Sequence, residues 1–106
     1  MSKYRISPLA YDDLEQIFLY IAERNMDAAR KLIIEMMRTF DIAAQNISIG
    51  TAKDDLMVGI RMFPFKRYNI YYLKASHGIE IYRVLHSARD QTKVFSSIID
   101  SPDIEQ

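Results

Sequence analysis

The chain has 106 residues, 49% of them hydrophobic, with 14 Lys/Arg balanced by 14 Asp/Glu and no Cys. That length supports one domain with a real core, and the apolar share argues against disorder. Without Cys there is no disulfide framework and no thiolate metal site. No apolar run approaches the ~20 residues of a membrane span, and MSKYRISP lacks the apolar centre of a signal peptide.

Tyr4-Arg5-Ile6 alternates and predicts a short strand. Ser7-Pro8 then opens a helix, with Ser as N-cap and Pro at the first helical position, where no N–H is needed. Leu14, Ile17, Phe18 and Ile21 fall on one face at helical spacing, and Asp12, Asp13 and Glu15 suit the positive end of the helix dipole. This helix is expected to end near Arg24-Asn25. Asp27 is the expected N-cap of a second helix, and so short a link makes an antiparallel helical hairpin. Leu32, Ile33, Met36, Phe40 and Ala43 carry its apolar register, and its end is expected around Asn46 to Ser48. Gly50 and the polar run Thr51 to Asp55 predict a loop.

Three strands follow: 58–63 around Arg61, the Tyr-rich 67–74, and 79–86. Pro64-Phe65-Lys66 and Ala75 to Gly78 are turn-like, so the strands form an antiparallel meander. Strict alternation puts Arg83 with Ile79, Ile81 and Leu85, and His86 with Tyr82 and Val84. His77 falls in a turn and is expected exposed. Asp90 caps a last helix to Ile99, with Val94, Phe95 and Ile98 on one side. The order β-α-α-β-β-β-α predicts an α+β fold, a helical hairpin packed on a mainly antiparallel sheet. The expected domain spans 1–98, and 99–106 form an acidic tail that frays.

Charge is unevenly spread. Residues 57–95 carry seven Lys/Arg against two Asp/Glu, whereas 1–56 carry seven against nine and 96–106 none against three. The sheet half is therefore basic, which favours an anionic partner. There is no P-loop, Rossmann glycine motif or zinc-protease motif. The candidate polar site is Arg61, Arg67, Arg83, His86 and Arg89, drawn from all three meander strands and the segment after them. Arg83 and Arg67 are each also read as possible structural groups paired with an acid.

The pattern Gly59-x-Arg61, Arg67-Tyr68-x-Ile70-x-Tyr72 and Arg83-Val84-Leu85-His86-Ser87-Ala88-Arg89-Asp90 resembles the RelE/ParE toxin superfamily, on the ParE side. Ser7-Pro8-x-Ala10-x-x-Asp13-Leu14-x-x-Ile17-x-x-Tyr20-Ile21 resembles its first helix. The resemblance implies the toxin of a bacterial, cytoplasmic type II toxin–antitoxin pair, of the kind tied to growth inhibition and plasmid stabilisation. It implies a poison of DNA gyrase with no cofactor or metal and no sequence-specific DNA binding of its own. Arg61, Arg67, Arg83, His86 and Arg89 would meet the target. The enzymatic alternative is a RelE-like mRNA interferase using Arg61, Arg83, His86 and Arg89 to move protons and steady a phosphorane. Against it, Asn69 stands where that branch has a middle-strand Arg, Ser87 where an Arg follows the His, and Phe95 near its late Tyr. A third possibility is a protein-interaction relic of the same fold. The resemblance also implies a ParD-like antitoxin whose C-terminal tail wraps the toxin. Tyr11, Leu19, Tyr20, Met36, Met37, Ile42 and Met57 are the candidates for its apolar groove.

Overall fold

The computed structural model describes residues 3–100, with side chains through residue 97. Its elements are β1 (Tyr4–Ile6), α1 (Pro8–Ala22), α2 (Met26–Gln45), a 3-10 turn (Ile47–Ile49), β2 (Thr51–Ala52), β3 (Arg61–Phe65), β4 (Tyr68–Ala75), β5 (Gly78–His86) and α3 (Gln91–Asp100). The expected place of the Ile98 side chain and the tail beyond Asp100 lie outside the described residues.

Local chemistry sets most boundaries. Ser7 Oγ accepts the Ala10 N–H at 3.1 Å, and Pro8 takes the first helical position, so α1 starts where expected. Helix α2 starts earlier than expected. Asn25, not Asp27, is its cap, with Oδ1 accepting the Ala28 N–H at 3.0 Å. Asp27 instead lies in the first turn, where the dipole favours it. Asp90 caps α3 through Oδ1 and the Lys93 N–H at 3.1 Å.

The five strands lie in the order β1-β5-β4-β3-β2. The meander is antiparallel, and β1 adds to β5 in parallel. Pro64 and Phe65 belong to β3 rather than to a turn; the turn is Lys66-Arg67. Pro is tolerated there because β2 pairs only with Arg61 and Met62, leaving Pro64 on an open edge where no N–H is needed. The expected loop 51–55 instead opens with β2. Gly78 has φ of +142°, and a Cβ there would run into the Lys3 carbonyl, which accepts the Ile79 N–H at 3.0 Å. Only Gly lets β1 lie that close.

Both faces of the sheet are covered. On one, the hairpin buries Leu14, Met36 and Phe40 against Ile70, Tyr72, Ile79, Ile81 and Val84. On the other, Phe95 of α3 and the loop residues Leu56 and Ile60 bury Tyr71 and Leu85. Tyr71 and Tyr72 are neighbours on one strand, point to opposite faces, and are 1% and 0% exposed. Each fully buried large side chain contributes on the order of 1.5–3 kcal/mol, so the second face is a real part of the core.

A bulge corrects the expected alternation. Tyr71 pairs with Arg83 while Tyr72 pairs with Ile81, so Tyr82 is an extra residue in β5. Arg83 therefore shares a face with Leu85 but not with Ile79 or Ile81. His86, opposite Tyr68, shares one with Val84 but not with Tyr82.

Candidate functional site

The bulge lies where β1 stops. Beyond Ile81 the outer edge of β5 has no strand partner, and α1 supplies the missing groups. Ser7 Oγ donates to the Tyr82 carbonyl at 2.9 Å, and Asp13 Oδ2 accepts the Val84 N–H at 2.9 Å. The same carboxylate receives Arg83 Nε at 2.7 Å and Nη2 at 2.8 Å, a forked pair with side chains 11% and 9% exposed. The hydrogen bond from Arg83 to Asp13 raises the guanidinium's pKa above its ordinary value, outweighing the opposing effect of burial. Arg83 is thus first of all a clamp between α1 and β5.

At the same end of the sheet, the Ser87 N–H donates to the Arg67 carbonyl at 2.8 Å, joining the β3–β4 turn to the segment after β5. His86 packs edge-on against Tyr68 with centroids 5.5 Å apart, and its Nδ1 accepts the Ala88 N–H at 3.1 Å. The ring proton therefore belongs on Nε2. Desolvation raises the Tyr68 hydroxyl pKa, with the nearby Arg67 charge opposing it. Gln91 ties the corner together. It accepts the Tyr71 hydroxyl at 2.6 Å and donates to the carbonyls of Arg89 at 2.7 Å and His86 at 3.2 Å. Ser87 to Asp90 are all exposed. One cleft of about 380 Å³ here is lined by Asp13, Gln16, Tyr68, Arg83, His86 and Arg89. A second, of about 430 Å³, is lined by Arg83, Arg89, Lys93 and Ser97 among others.

The structure brings together Arg67, Arg83, His86 and Arg89. It does not bring Arg61 to them. Arg61 lies half buried beside β2, donating Nε and Nη2 to the Gly50 carbonyl at 3.1 and 2.6 Å and Nη2 to the Ser48 carbonyl at 3.4 Å. These carbonyls belong to the irregular run after α2, and Arg61 satisfies them. Arg61 thus stands apart from the other four candidates, its guanidinium held by the fold's own backbone. His77 is also not a free turn residue: Nε2 lies 3.1 Å from the Ile79 carbonyl and the side chain is half buried. Phe95, suspected near a late Tyr position, is 1% exposed and packs edge-on against Tyr71 at 4.9 Å.

Of the antitoxin candidates, Met36 is 0% exposed and completes the core, so it is not available to a partner. Met57 packs half buried against the opposite face of the sheet. Tyr11, Leu19, Tyr20, Met37 and Ile42 are exposed. Tyr11 and Met37 line a groove of about 250 Å³ with Ile6, Phe18 and Ile33, almost free of polar atoms. Asp13 and Gln91 were missed as organising residues. The usable signal for Asp13 was an acid beside Leu14 on a helix due to meet a strand Arg. Gln91 carried none.

The sequence model for the ParE toxin of the type II toxin–antitoxin system parDE matches residues 4–91. The chain belongs to the ParE toxin family. It is 33% identical over 91 residues to "Toxin ParE1" of two Mycobacterium tuberculosis strains, covering 84% of this chain and 93% of theirs. It is 28% identical over 89 residues to "Toxin ParE1" of Caulobacter vibrioides, covering 83% and 92%. A solved chain from a chromosomal ParDE toxin–antitoxin system of P. aeruginosa shares the fold at a TM-score of 0.67 and 17% identity. It covers 81% of this chain and 96% of that one. The α+β architecture read from the sequence is thus that of the ParE family. Among the described residues, no helix is long and apolar enough to cross a membrane.

Proposed function

We propose that this ParE-family chain poisons DNA gyrase, trapping its cleaved complex with DNA, and that a ParD-like antitoxin neutralises it. The observation that carries this is the state of the four groups an mRNA interferase would need. Arg83 is committed to Asp13 and Arg61 to backbone carbonyls, while His86 Nδ1 already accepts a backbone N–H. Proton transfer at a ribose needs a positioned base and acid with free valences. What remains exposed, Arg67 and Arg89 at the same corner as His86, suits binding better than bond cleavage. The site thus supports a protein that holds its target in one state. In the bacterial cytoplasm the antitoxin's C-terminal tail would lie along the apolar groove at Tyr11 and Met37, with Leu19, Tyr20 and Ile42 as outlying contacts.

The test is a supercoiling assay with purified gyrase and relaxed plasmid. Added toxin should lower supercoiling and raise the linear, cleaved product. Unchanged supercoiling at large toxin excess, with mRNA cut on translating ribosomes, would turn the assignment to the interferase. For the antitoxin, the C-terminal half of the neighbouring gene's product should raise the melting temperature, because a ligand of the folded state stabilises it by mass action. No rise and no co-elution would refute the pairing.

A further inference from the structure

We infer that the rim formed by Arg67, His86, Arg89 and Lys93 is a binding surface for the phosphodiester backbone of duplex DNA, without sequence preference. The inference rests on the gyrase reading only for the biological source of the DNA. Of the seven Lys/Arg in 57–95, Arg61, Lys66 and Arg83 are spent on the Gly50 carbonyl, Glu35 and Asp13. Lys74 lies at the far end of β4. Arg67, Arg89 and Lys93 are exposed and, among the described residues, have no acidic partner. The Ser87–Arg67 hydrogen bond sets the β3–β4 turn against the 87–90 segment, and Arg89 and Lys93 line the same cleft.

Three of the acids at this corner are hydrogen-bonded within the fold, while Asp55 lines a neighbouring cleft with Arg89. Asp90 caps α3, Asp13 holds Arg83 and the Val84 N–H, and Asp12 accepts Gln16 Nε2 at 3.4 Å. His86 adds a polar donor, because its Nδ1 accepts the Ala88 N–H and leaves Nε2 to donate. The rim also lacks what a protein interface needs at its centre. Ser87, Ala88, Arg89, Asp90, Thr92 and Lys93 offer no large apolar anchor, while the exposed large apolar side chains lie on the helical hairpin, apart from Ile49 and Val58. Exposed point cations with polar donors and no anchor fit phosphates, which fix position and carry no sequence information.

The test is fluorescence anisotropy of a short labelled duplex with the purified full-length toxin across a salt series. Each phosphate neutralised gives a slope of about −0.9 in log K against log salt, so three cations predict roughly −3. Arg67→Ala, Arg89→Ala and Lys93→Ala combined should weaken binding about tenfold or more at low salt and flatten that slope. Lys74→Ala, a cation outside the rim, should do neither. Circular dichroism confirms that the triple variant folds. A wild-type slope near zero, or equal losses for the triple variant and Lys74→Ala, would overturn the inference. So would loss of gyrase inhibition in the triple variant when the wild type binds no duplex, because the rim would then be meeting an acidic protein surface. DNA binding that behaves as expected while gyrase is untouched would uphold the rim and remove the gyrase assignment instead.

Discussion

Asp13→Ala is the substitution expected to damage the fold most for its size. The Asp13 carboxylate accepts three hydrogen bonds, at 2.7 and 2.8 Å from Arg83 and 2.9 Å from the Val84 N–H. Both side chains are close to nine-tenths buried. Removing the acid leaves a guanidinium desolvated without a counter-charge, which costs about 3–5 kcal/mol. Set against a total stability of roughly 5–15 kcal/mol for a domain, that is a large fraction. Urea denaturation followed by circular dichroism reads it as a lower midpoint at unchanged slope. Arg83→Ala should cost less, since a carboxylate at the open edge of β5 keeps the Val84 N–H and gains water. The double variant should cost much less than the sum, because no orphaned charge remains. Arg83 is held charged above the ordinary arginine range, so its share of stability is full below that range and is lost only above it. Raising the pH from neutral toward that range should therefore leave the coupling unchanged. A loss under about 1 kcal/mol for Asp13→Ala, or additive single variants within about 0.5 kcal/mol, would reduce the pair to a surface contact. Loss of toxicity in an Arg83 variant then counts as evidence about the target only if the variant still folds.

Three further outcomes are expected. Arg61→Ala should lower stability by about 1.5–3 kcal/mol, the range for hydrogen bonds from a charged donor, and an unchanged urea midpoint with lost toxicity would restore Arg61 to the target surface. Gly78→Ala should lower the melting temperature, since the new Cβ meets the Lys3 carbonyl at a left-handed φ; wild-type melting would mean that β1 yields freely. The Tyr68, Tyr71 and Tyr82 hydroxyls are all pushed up by burial, so the folded protein holds their protons more tightly than the unfolded chain. Stability should therefore hold up to about pH 10 and fall as pH rises through the raised values, read by denaturation alongside phenolate absorbance; a flat profile there would mean that these rings are solvated.

The fold was legible because each local signal agreed with the next. Ser7-Pro8, the spacing from Leu14 to Ile21 and the short hairpin link were sufficient for the two helices. The second covered face was also written in the chain, in the unbroken apolar run Ile70-Tyr71-Tyr72-Leu73. A strand with one wet face alternates, and one buried on both sides does not. Pro64 misled because proline usually ends a strand, and only the edge position of β3 beyond β2 excuses it.

The candidate site was half legible for a different reason. Charge composition identifies a basic segment but not which cations already have partners. Period-two counting fails at a single inserted residue, and the bulge at Tyr82 supplies one. That residue turns Arg83 toward the open edge of β5, where Asp13 waits at the end of a separation of 70 residues. The same long-range pairing removes Arg83 from the free charges and leaves Arg67, Arg89 and Lys93 as the exposed set at that corner. The surface left for a partner is thus fixed by what the fold consumes first. The partner would meet the cations that no acid, cap or carbonyl had claimed.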